Sequence, residues 1–368
     1  MKFIDLDKQY RLIESDIWNG IKKVLNHGQY IMGPEIALLE EQLADFVGVR
    51  HAIVNSSGTD ALLMALLALD VGPGDEVITS PFSFFATAEV IALCQAKPVF
   101  VDIDPVTYNI DPEKIEAAIT PKTKAIMPVS LYGQCPDMTK INAIAQKYNI
   151  PVIEDAAQSF GATHHGKYSC GLSTIGCTSF FPSKPLGGYG DSGACFTNDS
   201  QLAEKLIEIR IHGQGARYSH KRIGINGRMD TLQAAILIEK LKLFPNEITL
   251  RKTVAARYQK LLSGLVNVPA IQAENTSVYA QFTIEVSDRE HFQTSLLSSG
   301  IPTAVHYPIP MHQQEALSFL EYKEGDFPHA EKASKRVVSL PMHPYLTLEE
   351  QQEVVSAVRE CMAVTNEN

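Results

Sequence analysis

Short, continuous apolar runs recur through the first half of the chain, each followed by a turn or by residues at helical spacing. The run at 51–54 gives way to a turn and then to an Ala/Leu-rich stretch that predicts a helix from Asp60. Further runs at 76–79, 97–102, 125–129, 151–155, 177–181 and 193–197 predict strands, with helices over 86–94 and 139–148. Runs that are apolar throughout, rather than alternating, belong to strands buried on both faces. Such strands alternating with helices predict an α/β fold with a mostly parallel, seven-stranded sheet between helices.

The pattern changes after Arg228. Helical spacing over 230–262 leads to a strand-like stretch at 279–286, a helix at 289–299 and a last helix from Leu348. This region is expected to form a smaller C-terminal α+β domain. The expected organisation is an arm at 1–30 packing against that domain, a large domain at 31–245 and the small domain at 246–368.

Composition narrows the possible functions. Hydrophobic content of 45% and charged content of 20% describe an ordinary globular protein. A net charge of −10 argues against a nucleic-acid binder, yet leaves room for a local basic pocket that takes a phosphorylated small molecule. The N-terminus lacks the apolar core of a signal peptide, and the longest apolar run, 61–69, is far too short to span a bilayer. The six cysteines show neither a CxxC pair nor zinc spacing, so they read as reduced core thiols in a cytoplasmic protein.

Parallel sheets place ligands at the carboxyl ends of their strands, and four features fall there. Asn55-Ser56-Ser57-Gly58-Thr59-Asp60 joins a strand to a helix. Its hydroxyls and helix-start amides suit a phosphate, although the ordinary use of such residues is an N-cap. Phe84 lies just past the second strand, where a ring can stack on a planar ligand or simply pack in the core. Asp155 ends the fifth strand, and Gln158 follows one turn later. A carboxylate there is commonly a cap or ion-pair partner, but it also suits a protonated ring nitrogen. Lys184 follows the next strand, flanked by Phe180, Phe181, Pro182, Pro185, Gly187 and Gly188. On its own it reads as a surface lysine. Held in a dry turn it would have a lowered pKa and become a nucleophile of the Schiff-base kind.

A phosphate cradle, a stacking ring, an acid for a pyridinium nitrogen and such a lysine together are what pyridoxal phosphate (PLP) requires. Their order resembles the large domain of fold type I PLP enzymes. More closely, Glu154-Asp155-Ala156-Ala157-Gln158-Ser159-Phe160-Gly161-Ala162, Ser179-Phe180-Phe181-Pro182-Ser183-Lys184 and Gly190-Asp191-Ser192-Gly193-Ala194 resemble the DegT/DnrJ/EryC1/StrS sugar aminotransferases. The likeness runs from Phe3 to His343. It implies that Lys184 carries the cofactor and, once released, acts as the base. It also implies that Asp155 holds the ring nitrogen protonated, that Gln158 contacts the O3′ side and that Phe84 stacks on the ring. Gly58, Thr59 and Ser179 would bind the phosphate. Asn226 would reach the phosphate of a neighbouring subunit, which implies a homodimer with a shared active site; a local turn cap is the other reading of that asparagine. The implied reaction moves an amino group from L-glutamate to a nucleotide-linked keto sugar, leaving 2-oxoglutarate.

Within that family the chain is similar to enzymes that aminate C3 of a UDP-linked 2-acetamido-3-keto-hexuronic acid for bacterial O-antigen. The likeness rests on Asn26-His27-Gly28-Gln29-Tyr30-Ile31-Met32-Gly33-Pro34, Val129-Ser130-Leu131-Tyr132-Gly133-Gln134-Cys135 and Ala304-Val305-His306-Tyr307-Pro308-Ile309-Pro310. It assigns substrate contacts to Gly28, Tyr30, Ser183, Arg228, His306 and Tyr307. Arg228 suits a uronate carboxylate because its planar fork binds bidentately, and it suits a structural ion pair equally. A 4-keto-6-deoxy or other nucleotide-linked keto sugar is the alternative substrate, and the position of the keto group and the amino donor stay open at this point. A dehydratase of the same fold has histidine where Lys184 stands. A regulatory binding protein would not need Lys184, Asp155 and Gln158 together. His164, His165 and His343 have no metal-like partners and read as structural. Two positions depart from the usual family pattern. Pro185 stands where Asn is common, though proline also occurs in the hexuronate group. Ser192 stands where Gly is common, which fits if its φ is negative.

Overall fold

The computed structural model describes residues 1–366; residues 367 and 368, the end of the expected C-terminal domain, lie outside the described residues. The chain opens with α1 (Leu6–His27), capped by the Asp5 carboxylate, which accepts from the backbone amides of Asp7 and Lys8 at 3.2 Å each. It ends at Gly28 in the left-handed conformation, φ +70°. Next come α2 (Pro34–Val47), β1 (His51–Asn55), α3 (Gly58–Ala68), β2 (Glu76–Thr79), α4 (Ala86–Leu93), β3 (Lys97–Phe100) and β4 (Thr123–Met127). These are followed by α5 (Met138–Tyr148), β5 (Ile153–Asp155), β6 (Ile175–Ser179), β7 (Gly193–Thr197), α6 (Ser200–Arg210) and α7 (Thr231–Leu262). The C-terminal region holds β8 (Phe282–Glu285), α8 (Arg289–Ser298), α9 (Pro328–Arg336), β9 (Val337–Leu340) and α10 (Leu348–Asn366).

The seven strands predicted from the apolar runs lie side by side in the order β3-β2-β4-β5-β6-β7-β1. β2 pairs in parallel with β3 and β4, and β5 with β6. Parallel bridges at Ile126–Val152 and Val129–Asp155 join the two halves. Only β7 runs against the rest, antiparallel to both β6 and β1. The carboxyl ends of β1, β2, β5 and β6 therefore share one edge, the edge where ligands of parallel sheets bind. β6 stops at Ser179 rather than at Phe181 because the chain turns there: the Phe180 amide donates to the Ser192 carbonyl at 2.7 Å and the Phe181 amide to Ser179 Oγ at 3.2 Å. In the C-terminal region the strand is shorter than 279–286, since Tyr279 has φ +44°, outside the extended range.

Packing explains why α7 survives a proline at position 245, which removes a backbone donor from its interior. Leu241, Phe244 and Ile248 belong to the core under the large sheet. Val254, Ala255, Tyr258 and Leu262 belong to the core around β8 and β9. Each large apolar side chain buried this way contributes about 1.5–3 kcal/mol, and together they outweigh the lost hydrogen bond. The expected boundary at 245/246 thus falls inside one continuous helix. The arm packs its Ile13 and Ile17 against Ile236 of α7, and Lys8 Nζ reaches Glu350 at 3.0 Å in the C-terminal region.

Candidate active site

The site begins with two short turns at the shared edge. After β1, Ser57 caps α3 by accepting from the Asp60 amide at 3.0 Å. The amides of Gly58 and Thr59 have no acceptor within the chain among the described residues. Only glycine fits at 58, since a Cβ there would lie 2.6 Å from the Ser179 Cβ at the end of β6. Gly58, Thr59 and Ser179 therefore form one concave, amide-rich corner at a helix N-terminus, which attracts an anion.

Asp155 sits at the tip of β5 and is 5% exposed. Thr87 Oγ1 donates to its Oδ2 at 2.8 Å, and the Ala157 amide donates to Oδ1 at 3.2 Å. Burial pushes the carboxyl's pKa up, while Thr87, the Ala157 amide and the charge of Lys184 pull it down. Lys184 is half-buried as a residue, yet its amine is enclosed enough that burial lowers the ammonium pKa, with Asp155 opposing. It forms no salt bridge among the described residues, so its amine is available to a ligand. Lys240 of α7 is a second buried lysine, with a pKa lowered to about 8 by burial. Its ammonium lies over the Tyr189 ring at 4.8 Å and feels Glu247 rather than Asp155. Of these two lysines, Lys184 is the one electrostatically joined to the Asp155 carboxylate.

Gln158 is held at both ends: its Oε1 accepts from the Tyr132 amide at 2.9 Å, and its Nε2 donates to the Tyr307 hydroxyl at 3.1 Å. The Tyr132 hydroxyl donates to the His306 carbonyl, and His306 Nδ1 lies 3.0 Å from Ser339 Oγ. Burial, then the charge of Lys184, lowers the His306 pKa to about 4, so its imidazole is neutral at pH 7. The Phe84 ring is 56% exposed, 6.0 Å from the Tyr307 ring centroid, and a planar ligand would cover it. Ser183 is exposed at the mouth of the lysine turn.

Four expected site residues belong to two neighbouring segments, one of which meets the turn after β1: the Ser56 amide donates to the Gly227 carbonyl at 3.0 Å. The Tyr30 carbonyl accepts from the Thr231 amide at 3.0 Å, and Ile31 bridges Asp230. Gly28 and Tyr30 thus run beside the segment carrying Asn226 and Arg228. Asn226 is exposed, with no side-chain hydrogen bond among the described residues. Arg228 makes no ion pair among them either, and its Nε is buried without an acceptor. Ser192 lacks a positive φ, so the departure from glycine costs nothing in backbone conformation.

Sequence reasoning missed Thr87, Ser83 and the Tyr132 amide as parts of the site. Thr87 had one signal, a buried hydroxyl one turn beyond Phe84. Tyr132 had none, because its amide is aimed by a left-handed φ of +57°.

The donor set fits PLP. Unpaired amides meet a phosphate, Asp155 has two donors and spare lone pairs for a ring N–H, and Lys184 offers an unpaired amine. Fold and site together define a PLP-dependent aminotransferase. The chain belongs to the DegT/DnrJ/EryC1/StrS aminotransferase family, whose model matches residues 11–359. It is 57% identical, over the whole of both chains, to the UDP-2-acetamido-2-deoxy-3-oxo-D-glucuronate aminotransferase of Pseudomonas aeruginosa. It is 42% identical to the UDP-N-acetyl-3-dehydro-alpha-D-glucosamine 3-aminotransferase of Acidithiobacillus ferrooxidans, covering 97% of this chain and 96% of that one. The crystal structure of NtdA from Bacillus subtilis with bound cofactor PMP superposes with a TM-score of 0.90 at 38% identity, covering 98% of this chain and 83% of that one. No helix among the described residues is long and apolar enough to cross a membrane.

Proposed function

We propose that the chain transfers the amino group of L-glutamate to C3 of UDP-2-acetamido-2-deoxy-3-keto-glucuronate. The products are 2-oxoglutarate and UDP-2-acetamido-3-amino-2,3-dideoxy-glucuronate, a precursor for bacterial O-antigen made in the cytoplasm. The observation that carries the substrate is Arg228, a guanidinium whose Nε is buried without an acceptor and which no carboxylate of the chain neutralises among the described residues. A uronate carboxylate matches its fork. The 57% identity to the P. aeruginosa enzyme supports the same sugar.

PLP, when bound, supplies an electron-withdrawing ring that acidifies the Cα–H of the amino donor. Lys184 would hold the cofactor at rest and, once released, would take the proton from that carbon and deliver it to the cofactor's C4′ position. Its lowered pKa leaves more of it neutral, as a base must be. Asp155 keeps the ring nitrogen protonated, Gln158 fixes the O3′ side and Phe84 covers the ring face. Gly58, Thr59 and Ser179 hold the phosphate. Ser183, His306 and Tyr307 face the sugar, with His306 neutral and therefore a hydrogen-bonding group rather than a charge.

Gly28, Tyr30, Asn226 and Arg228 gather on a strip that borders the turn after β1 at Ser56 and carries the exposed apolar side chains Ile31, Met32 and Ile223. Such a strip favours a homodimer in which these residues complete the partner's site. One assay tests both statements: [15N]glutamate is offered with a panel of UDP- and dTDP-linked keto sugars, and products are read by mass. Label in the 3-amino uronate is expected, and R228A should lose most of that activity. Mixing R228A with K184A should restore part of it, because one of the two shared sites is then intact. Amination of a 4-keto-6-deoxy sugar alone would contradict the substrate, and no recovery on mixing would contradict the shared site.

A further inference from the structure

Behind Asp155 stands a short line of buried hydroxyls that the reaction outlined above leaves unused. Thr87, in the first turn of α4, is 0% exposed, and Ser83 is 4% exposed. Ser83 Oγ and Thr87 Oγ1 are 3.1 Å apart, and Thr87 Oγ1 lies 2.8 Å from Asp155 Oδ2. A hydroxyl has one proton to give. Thr87 spends its proton on the carboxylate, so Ser83 must donate to Thr87. The line therefore has one direction, Ser83 to Thr87 to Asp155, and it ends on an ionised carboxylate. Hydrogen bonds of that kind shift the balance toward the charged form, which is what a carboxylate buried this deeply otherwise lacks.

The same line fixes orientation. Thr87 occupies one oxygen of Asp155 and the Ala157 amide the other, so the carboxylate plane has little freedom. The far end is anchored too. Ser83 precedes Phe84 in a turn where Ser80 Oγ accepts from the Phe82 amide at 3.1 Å, and Phe82 is buried in its own core cluster. One rigid turn thus carries both the exposed Phe84 ring and the hydroxyls that aim Asp155.

We infer that Thr87, backed by Ser83, is a positioning residue that holds Asp155 ionised and aimed at the cofactor's ring nitrogen. This rests on the role proposed above for Asp155. The valine variant T87V keeps the shape and removes the hydroxyl; T87S keeps the hydroxyl.

The experiment loads wild type, T87V, T87S and S83A with ring-15N-labelled PLP and reads protonation of that nitrogen by NMR against pH, alongside kcat and KM with glutamate. Wild type should hold the nitrogen protonated across the neutral range. T87V should lose ring protonation at a lower pH and lose kcat on the order of 10- to 100-fold, the worth of one charge-assisted hydrogen bond, with KM little changed. T87S should restore both readouts, and S83A should show a smaller shift in the same direction. T87V with wild-type ring protonation overturns the inference. Should T87V not fold, an S83A whose nitrogen titrates as in wild type overturns it instead. A wild-type nitrogen that is unprotonated throughout overturns the Asp155 role itself, and so separates the two failures.

Discussion

At the scale of single residues the site is a set of groups moved from their ordinary ionisation by burial. Lys184 and Asp155 are each pushed toward neutrality by desolvation and each pulled back by the other. Burial lowers His306 and His343 as well, helped by Lys184 at the first and by Lys8 and Arg251 against Asp5 and Glu350 at the second, and each pKa falls to about 4. The sign follows. The unfolded chain protonates these imidazoles near pH 6.5, but the folded chain resists until about 4. Their contribution to stability is complete above pH 6.5 and is lost as pH falls toward 4, at roughly 1 kcal/mol per pH unit for each histidine. Urea unfolding between pH 6 and 5 should therefore show a shallower loss of stability in H343Q than in wild type. An identical slope would mean that His343 titrates normally. Lys184, Asp155, Gln158 and Gly58 were legible in the sequence because each sits at a strand end inside a long motif. Thr87 and Tyr132 were not, because one is a lone hydroxyl in an apolar helix and the other acts through its backbone.

At the scale of elements, β5 and the turn after it show how tightly the site is keyed to the core. The Glu154 carboxylate is buried and accepts from Ser130 Oγ at 2.8 Å, Ser169 Oγ at 2.7 Å and the Cys170 amide at 2.8 Å. It ties two segments, at Ser130 and at Ser169–Cys170, to the strand that carries Asp155. Gly161 closes the same motif at φ +92°, where a Cβ would lie 2.7 Å from Ile248 Cδ1 and 2.9 Å from Phe244 Cε1. G161A should cost about 2–4 kcal/mol, from backbone strain plus overpacking against α7. Thermal unfolding of the variant checks this, and a change under 1 kcal/mol would show that α7 yields without penalty. The strands were readable because fully buried runs are continuous. The reversal of β7 was not, since an apolar run carries no record of its direction. The unbroken passage of α7 past Pro245 was also hidden, because packing against two cores decides it and local propensity does not.

At the scale of the whole molecule, one sheet edge collects residues from β1, β2, β5 and β6, and the segment carrying Asn226 and Arg228 borders it, the Gly227 carbonyl accepting from the Ser56 amide at 3.0 Å. Family membership makes the molecule a PLP-dependent aminotransferase; the sugar it serves is a matter of the groups that line the mouth of the site. Two lysines with enclosed amines compete for the cofactor, since Lys240 also has a pKa lowered by burial. The fold places only Lys184 beside Asp155. The most direct test is therefore to reduce the PLP-loaded enzyme with borohydride, digest it and map the modified lysine by mass spectrometry. The account predicts the cofactor on Lys184 and no fixed cofactor in K184A; a modified Lys240, or an unmodified Lys184, would contradict it.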